Sequence, residues 1–238
     1  MNDTRGPEMF ARYACAPNQL GYCGPADPAA LHDTDRIRAA APQFSGAWPY
    51  LRVLSRLTGI ADPLDHRLVE SYWLGGGLGA ELDPREFTAA LLAAIGPGTQ
   101  WSHLTGDLAD EAAANHSFHV FGVYPWSRLL GSGDQPLHVL DSCRISWATV
   151  LSCDGTDSEV ACRRLTHAGG VLALTDPVRL RVAAGPVTVT PGDLVAVHWG
   201  RICDHLTPDR QRTLEHSTLR QLAVTNRRLA ADRADQYR

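Results

Sequence analysis

The stretch Asp141-Ser142-Cys143-Arg144-Ile145-Ser146-Trp147 and the residues that follow it decide the fold. From Leu140 to Trp199 the sequence consists of short apolar runs with strand character, separated by turn residues. Cys143 stands at the start of the first run, and His198 stands near the end of the last. A thiol and an imidazole that meet on a small β-barrel are suitable ligands for a transition metal. The sequence therefore predicts a metal site built on strands.

The strand-rich region extends to both sides of this opening. Dipeptides such as Asp154-Gly155 and Gly169-Gly170 and the triplet Pro191-Gly192-Asp193 mark its turns. Short strands at such close spacing predict a small barrel of the OB type. The predicted strands are 118–124, 137–140, 145–151, 158–165, 171–174, 178–182 and 194–198.

Helices are predicted on either side of the strands. Asp-Pro pairs, each typical of a helix start, occur at Asp27, Asp62 and Asp83, and another helix is predicted over 44–57. Residues 1–26 are rich in Pro and Gly and are predicted to form a structured loop. A weaker helix is predicted over 104–114, and a C-terminal helix from Pro208. The fold class is thus predicted to be α+β, with a helical domain at 1–115 and a barrel with its trailing helix at 116–238.

Composition restricts the function. The 238 residues are 44% apolar and 20% charged, which is typical of a globular protein. A net charge of −4 predicts no nucleic-acid partner and no anionic membrane. All 22 basic residues are Arg, which excludes lysine-dependent chemistry. With no signal-like segment and no apolar run of roughly 20 residues, a cytoplasmic location with reduced cysteines is expected.

Two elements of the strand region resemble a known family. The string Gly192-Asp193-Leu194-Val195-Ala196-Val197-His198-Trp199-Gly200 and the earlier Cys143-Arg144-Ile145 are similar to small nickel–iron hydrogenase maturation chaperones of the HypC/HupF type. In that family a cysteine opens the first strand, and a Gly-Asp-x-Val-x-Val-His-x-Gly strand follows later. The resemblance covers residues 141–215. The family's cysteine follows the initiator Met, whereas Cys143 is internal and follows a helical region.

The resemblance implies an accessory role in hydrogenase maturation. Cys143 would be the thiolate donor, and His198 the second donor or an orienting base. Their cargo would be an iron center that carries carbon monoxide and cyanide. The implied partners are the immature hydrogenase large subunit or other maturation proteins. No residue pattern indicates turnover, so an assembly factor is expected rather than an enzyme.

Five further residues are weaker candidates for the same site: His116, His119, Cys23, Cys203 and Asp141. His116 and His119 are three positions apart, which places them on one face of a helix but on opposite faces of a strand. Because the following residues have strand character, only one of the two is expected to face a shared site. Cys203, five residues after His198, is either a further thiol near the site or part of the core.

A rival hypothesis starts from Cys23. The segment from Gln19 to Cys23-Gly24-Pro25 resembles papain-like cysteine peptidases of the bacteriocin-processing type, in which the cysteine begins a helix that lowers its pKa. Gln19 would then be an oxyanion donor, His119 the base and Asp141 its orienting acid. A third hypothesis is a partner-binding module without chemistry.

Overall fold

The computed structural model describes residues 3–96 and 106–236 and has an α+β architecture. Helical segments extend to Cys143, strands follow, and a long helix ends the described chain. The helices are α1 (Arg5–Gln19), α2 (Thr34–Ala40), α3 (Trp48–Thr58), α4 (His66–Leu74), α5 (Gly77–Ala80), α6 (Pro84–Ile95), α7 (His116–Phe118), α8 (Gln135–Cys143) and α9 (Pro208–Gln236). No helix in the described part of the chain is both long and apolar enough to span a membrane.

The Asp-Pro starts are confirmed to different extents. The Asp83 side chain accepts hydrogen bonds from the first backbone N–H groups of α6, as predicted. Asp27 caps only a short 3₁₀ turn, and α2 begins later with its own cap at Asp33. Similarly, α4 is capped by Asp65 rather than by Asp62. Where two acidic residues compete within a few positions, the second one begins the regular helix.

The prediction of a loop over residues 1–26 is wrong, because Arg5–Gln19 form α1. Pro7 lies in the first turn, where the backbone N–H has no helical acceptor in any case. Pro17 lies in the last turn, so it removes one hydrogen bond without dividing the helix. Met9, Phe10 and Tyr13 lie on a fully buried face, and that burial outweighs the two prolines.

The strands predicted over 118–124 and 137–140 are also wrong. The first run forms α7 and a π turn over His119–Val123, and the second lies within α8. Val120 and Phe121 are fully buried, and a short run buried on all sides has no periodicity that separates helix from strand. Cys143 therefore ends a helix and does not open a strand.

The described strands form one mixed sheet whose order closes on itself, β1-β2-β3-β5-β4. They are β1 (Ser146–Cys153), β2 (Asp157–Ala168), β3 (Val171–Ala183), β4 (Leu194–His198) and β5 (Arg201–His205). Neighbours are antiparallel except β3 and β5, which meet in parallel at Ala183 and Arg201. β3 continues through Pro177, where two strands were predicted, and β5 was not predicted.

A tight turn between β4 and β5 positions His198 and Trp199, two residues of the candidate site. Trp199 and Gly200 form the whole connection, and both have positive φ, 50° and 70°. Such a two-residue hairpin favours Asn-Gly, so tryptophan is an unusual occupant. The turn holds His198 at the end of β4 and puts the Trp199 ring beside it.

The helices and the sheet share one hydrophobic core. Ile145, Trp147 and Ala196 of the strand region belong to the same buried cluster as Phe10 and Trp73 of the helices. The C-terminal helix α9 begins at Pro208, as predicted. Of the weaker helix predicted over 104–114, a 3₁₀ turn forms at Gly106–Asp110, and positions 104 and 105 lie outside the described residues. The candidate site lies where the helices meet the end of β4.

Candidate metal centre

Three side chains from distant parts of the chain converge in the interior. His116 comes from α7, Cys143 from the last position of α8, and His198 from the last position of β4. All three are buried, and one potential ligand atom from each lies within 4.8 Å of the other two. The Cys143 sulfur is 4.0 Å from Nε2 of His116, and the rings of His116 and His198 are 5.3 Å apart. A thiol and two imidazoles in this arrangement can hold a transition-metal ion.

The hydrogen bonding of His198 fixes its tautomer. Its Nδ1 lies 2.8 Å from the carbonyl oxygen of Tyr13. A carbonyl can only accept, so Nδ1 carries the proton and donates it, which leaves a lone pair on Nε2. The Cys143 carbonyl also lies near the ring, but no group among the described residues makes a hydrogen bond of good geometry with that buried Nε2, and the side chain is only 1% exposed. Burial lowers the pKa of His198 to about 4, so the imidazole is neutral at pH 7.

Pro17 explains why the Tyr13 carbonyl is free to accept from His198. In a regular helix that oxygen would accept from the backbone N–H of residue 17, but proline has none. His198 supplies the missing donor from a strand 185 residues away. Carbonyl partners of this kind orient metal-binding histidines in many proteins.

His116 is held from both ring nitrogens. Its Nε2 lies 2.9 Å from the carbonyl oxygen of Cys143, so Nε2 carries the proton. Its Nδ1 lies 3.1 Å from the Tyr72 hydroxyl and accepts from it. Burial, with the neighbouring His198 and His119, lowers the pKa of His116 well below its usual value. A metal bond through Nε2 would require the ring to give up the proton that it donates to Cys143.

The Cys143 thiol is neutral in this environment. Burial raises its pKa to about 12, and the nearby Cys23 adds to the shift, while the indole N–H of Trp199 opposes it. A bound cation would reverse this balance, because metals bind the thiolate and displace its proton.

The three side chains open onto a cavity of about 120 Å³. Cys23, His119, Tyr124 and Trp199 also line it. Of the described residues in its wall, none is Asp, Glu or Arg. On the exposed side the ring of Tyr22 stacks on that of Trp199 at 4.0 Å, and Tyr22 is 51% exposed. The site is thus a small, uncharged space beneath an aromatic pair.

His119 faces the same cavity as His116, contrary to the expectation that only one of them would. The segment is helical, so the spacing of three places both rings on one side, 5.8 Å apart. The π turn that begins at His119 is closed by a 2.8 Å bond from the Tyr124 amide to the His119 carbonyl. On the other side, a Cβ at Gly46 would lie 2.9 Å from Nε2 of His119. Glycine at position 46 therefore makes room for this ring.

Cys23 shares the cavity but lacks the setting of a peptidase nucleophile. It follows the C-terminal end of α1 and does not begin a helix. Burial raises the pKa of its thiol to about 12, the opposite of the activation that a nucleophile needs. Gln19, its proposed oxyanion donor, is the last residue of α1 and is exposed.

Asp141 is engaged elsewhere. Its carboxylate accepts from Arg144 at 3.0 Å, from the Leu165 amide at 2.8 Å, and from Arg164. It lines a separate surface depression beside Ser142. These bonds attach α8 to β2 and so help to position Cys143, and they occupy both carboxylate oxygens.

Cys203 packs in the core on β5. Its thiol points to the Arg201 carbonyl at 3.6 Å, and burial raises its pKa. Sequence reasoning missed Tyr72, Tyr13 and Pro17 as outer partners of the two histidines. Only Pro17 gave a local signal, since a proline beyond the first turn of a helix leaves one backbone carbonyl without its usual donor.

Comparison with known proteins places the whole arrangement in one family. Residues 2–232 match the profile of a family of unknown function, DUF6390. The chain belongs to the DUF6390 family. The match spans the helices and the sheet alike, so it includes all three side chains of the centre. No curated protein and no solved structure gives a significant match to this DUF6390 chain.

Proposed function

We propose that this DUF6390 protein binds a transition-metal ion through His116, Cys143 and His198 and serves as an accessory factor in metalloenzyme assembly. The observation that carries the proposal is the convergence of one thiol and two imidazoles, from three separate elements, on one buried cavity. The same cysteine and one of the histidines are the pair that the hydrogenase-chaperone resemblance implies. Geometry and resemblance thus point to the same two residues, although Cys143 ends a helix and does not open a strand as in that family.

The state of His198 supports metal binding over a purely structural cluster. A buried nitrogen lone pair without a partner costs about 1–3 kcal/mol of stability. Nε2 of His198 is such an atom among the described residues, and His198 lines the cavity. A coordinate bond to a cation would satisfy it. The protonated Nδ1 and its Tyr13 partner keep that lone pair available.

The donor set favours a borderline-soft divalent ion. One sulfur and two nitrogens suit iron, cobalt, nickel or zinc better than magnesium or calcium, which prefer oxygen. Three protein ligands beside a cavity leave at least one coordination position open.

The resemblance narrows the proposal to nickel–iron hydrogenase maturation. An iron ion with carbon monoxide and cyanide would occupy the centre, and the open positions would hold the diatomic ligands. The closed order of the strands is compatible with an OB-like barrel, as that family implies. The partner would be the immature large subunit or another maturation protein, in the cytoplasm, where thiols stay reduced.

Anaerobic purification tests the proposal directly. The wild-type protein is expected to retain close to one metal ion per chain, with infrared bands from bound carbon monoxide and cyanide. Cys143→Ala is expected to lose both, whereas Cys153→Ala, at an exposed free cysteine, should lose neither. A metal-free wild-type protein that also fails to bind added Fe²⁺, Co²⁺ or Zn²⁺ would overturn the metal centre. Bound metal without the infrared bands would overturn only the hydrogenase assignment.

A further inference from the structure

We propose that, when the centre holds a bare divalent cation without diatomic ligands, Cys23 moves inward as a fourth protein ligand and completes a Cys₂His₂ centre. This inference rests on the proposed metal centre and extends it. A cysteine that lines a cavity is not a ligand site by itself. The independent observation is the buried Nε2 of His198, which has no hydrogen bond of good geometry within residues 3–96 and 106–236, and His198 lines the same cavity.

Charge balance is the first argument. A divalent cation bound by one thiolate and two neutral imidazoles leaves a net charge of +1. An unbalanced charge in a buried site is strongly unfavourable, because the charge has lost its hydration. The described wall of the cavity contains no carboxylate that could neutralise this charge. Cys23 and Cys143 are its thiols, and a second thiolate would make the centre neutral.

Proximity is the second argument. Cys23 and Cys143 both lie in the wall of one cavity. The Cys23 sulfur is not among the three ligand atoms that lie within 4.8 Å of one another. Donors around a tetrahedral ion with bonds of about 2.0–2.3 Å lie closer than about 4 Å to one another. The three donors must therefore contract around the ion, and Cys23 must approach with them.

The loop that carries Cys23 is built to present it. The Asn18 side-chain amide donates to the carbonyls of Cys23 at 2.9 Å and of Pro25 at 2.8 Å. Gly24 has φ +83°, and a Cβ there would lie 2.4 Å from the ring of Phe44. Both contacts hold the backbone beside Cys23 against α1 and the core. With the backbone held there, the side-chain torsion of Cys23 is the main freedom left for its approach to the ion.

Cobalt substitution tests the inference by counting thiolates. Each thiolate bound to Co²⁺ contributes a sulfur-to-metal charge-transfer band in the near ultraviolet. The band of the wild-type protein is expected to fall to about half in Cys23→Ser, with cobalt affinity lower by roughly ten-fold or more. X-ray absorption should give two sulfur neighbours in the wild type and one in the variant. Cys153→Ser, at an exposed cysteine, is the matched control and should leave both results unchanged.

The possible outcomes separate the two proposals. One sulfur neighbour in the wild type, together with an unchanged band in Cys23→Ser and Cys23→Ala, overturns the role of Cys23 and leaves the three-ligand centre intact. A wild-type protein that binds no cobalt overturns both. Circular dichroism of each variant confirms that the fold is kept. Loss of one thiolate in a folded Cys23→Ser protein supports the four-ligand centre.

Discussion

Nδ1 of His198 donates to the carbonyl oxygen of Tyr13 across 2.8 Å, and this bond joins the end of β4 to the last turns of α1. This bond is possible because the fourth residue after Tyr13 is a proline, which has no backbone N–H to donate to that carbonyl. A feature that weakens the helix locally thus orients a candidate metal ligand.

Replacing Pro17 by alanine tests this relationship. The new backbone N–H would compete with His198 for the Tyr13 carbonyl, so the tautomer of His198 would no longer be fixed. We expect metal affinity to fall by roughly ten-fold, as for loss of other outer partners of metal-binding histidines. The melting temperature should change little, because the hydrogen bond gained by the helix is offset by the buried N–H of His198 that loses its partner. The measurements are metal titration and thermal unfolding.

Pro7→Ala is the matched control for that variant. Pro7 lies in the first turn of the same helix, where a backbone N–H would have no helical carbonyl to donate to. It should leave metal affinity unchanged. Equal affinity in the wild type and in Pro17→Ala would contradict the positioning role.

Tyr72→Phe removes the hydroxyl that donates to Nδ1 of His116 at 3.1 Å. The buried nitrogen would lose its partner, and the free energy of unfolding should fall by about 1–3 kcal/mol in urea titrations. Tyr50→Phe is the control, because the buried Tyr50 hydroxyl has no partner among the described residues. Tyr50→Phe should therefore lower the free energy of unfolding by less than Tyr72→Phe does. Equal costs would show that the Tyr72 contact contributes nothing specific.

Acid should destabilise the metal-free protein between pH 6.5 and about 4. His198 has a pKa of about 4 when folded and the ordinary 6.5 when unfolded, so in this window the unfolded state binds the extra proton. Stability is then complete above pH 6.5 and decreases as the pH falls, by about 1.4 kcal/mol for each pH unit. His116, shifted in the same direction, adds to the slope.

Denaturant titrations at pH 7, 6 and 5 measure this slope. His198→Gln should flatten it, whereas His32→Gln, at an exposed position, should not. A wild-type stability that is constant over this range would contradict the neutral, buried state of both histidines.

Gly46→Ala should displace His119 from the cavity wall, since the added Cβ would lie 2.9 Å from Nε2. Overpacking of this kind costs about 1–3 kcal/mol. Combining it with His119→Ala removes the obstacle, so the double variant should be less destabilised than the two single effects predict. A double-mutant cycle by urea unfolding measures this coupling. Simple additivity would show that the two positions do not interact.

Local sequence patterns predicted those helices and strands that are bounded by clear helix-start or turn residues. Asp83-Pro84 began a helix, and Asp154-Gly155 and Gly169-Gly170 marked real turns. The missing strand β5 shows the limit. It contributes just two fully buried residues, Ile202 and Cys203, between polar ones, so its pattern is too short to identify.

The candidate site was predictable only in part. Cys143 and His198 were singled out through the family resemblance, and the structure brings them together. His116 and His119 could share the cavity only if their segment were helical. The strand-like composition of that segment led instead to a strand prediction. The contact between His198 and Tyr13 joins residues 185 positions apart, a distance over which sequence periodicity carries no information.

The stacked rings of Tyr22 and Trp199 have a kinetic consequence. They lie on the exposed side of the cavity, one on the loop after α1 and the other in the β4–β5 turn. An ion that left the cavity on this side would have to pass these rings, so its residence time would depend on how often they separate as well as on the bonds that hold it. A recipient protein that displaced Tyr22 would then speed the release of the ion without changing any bond between the protein and the metal.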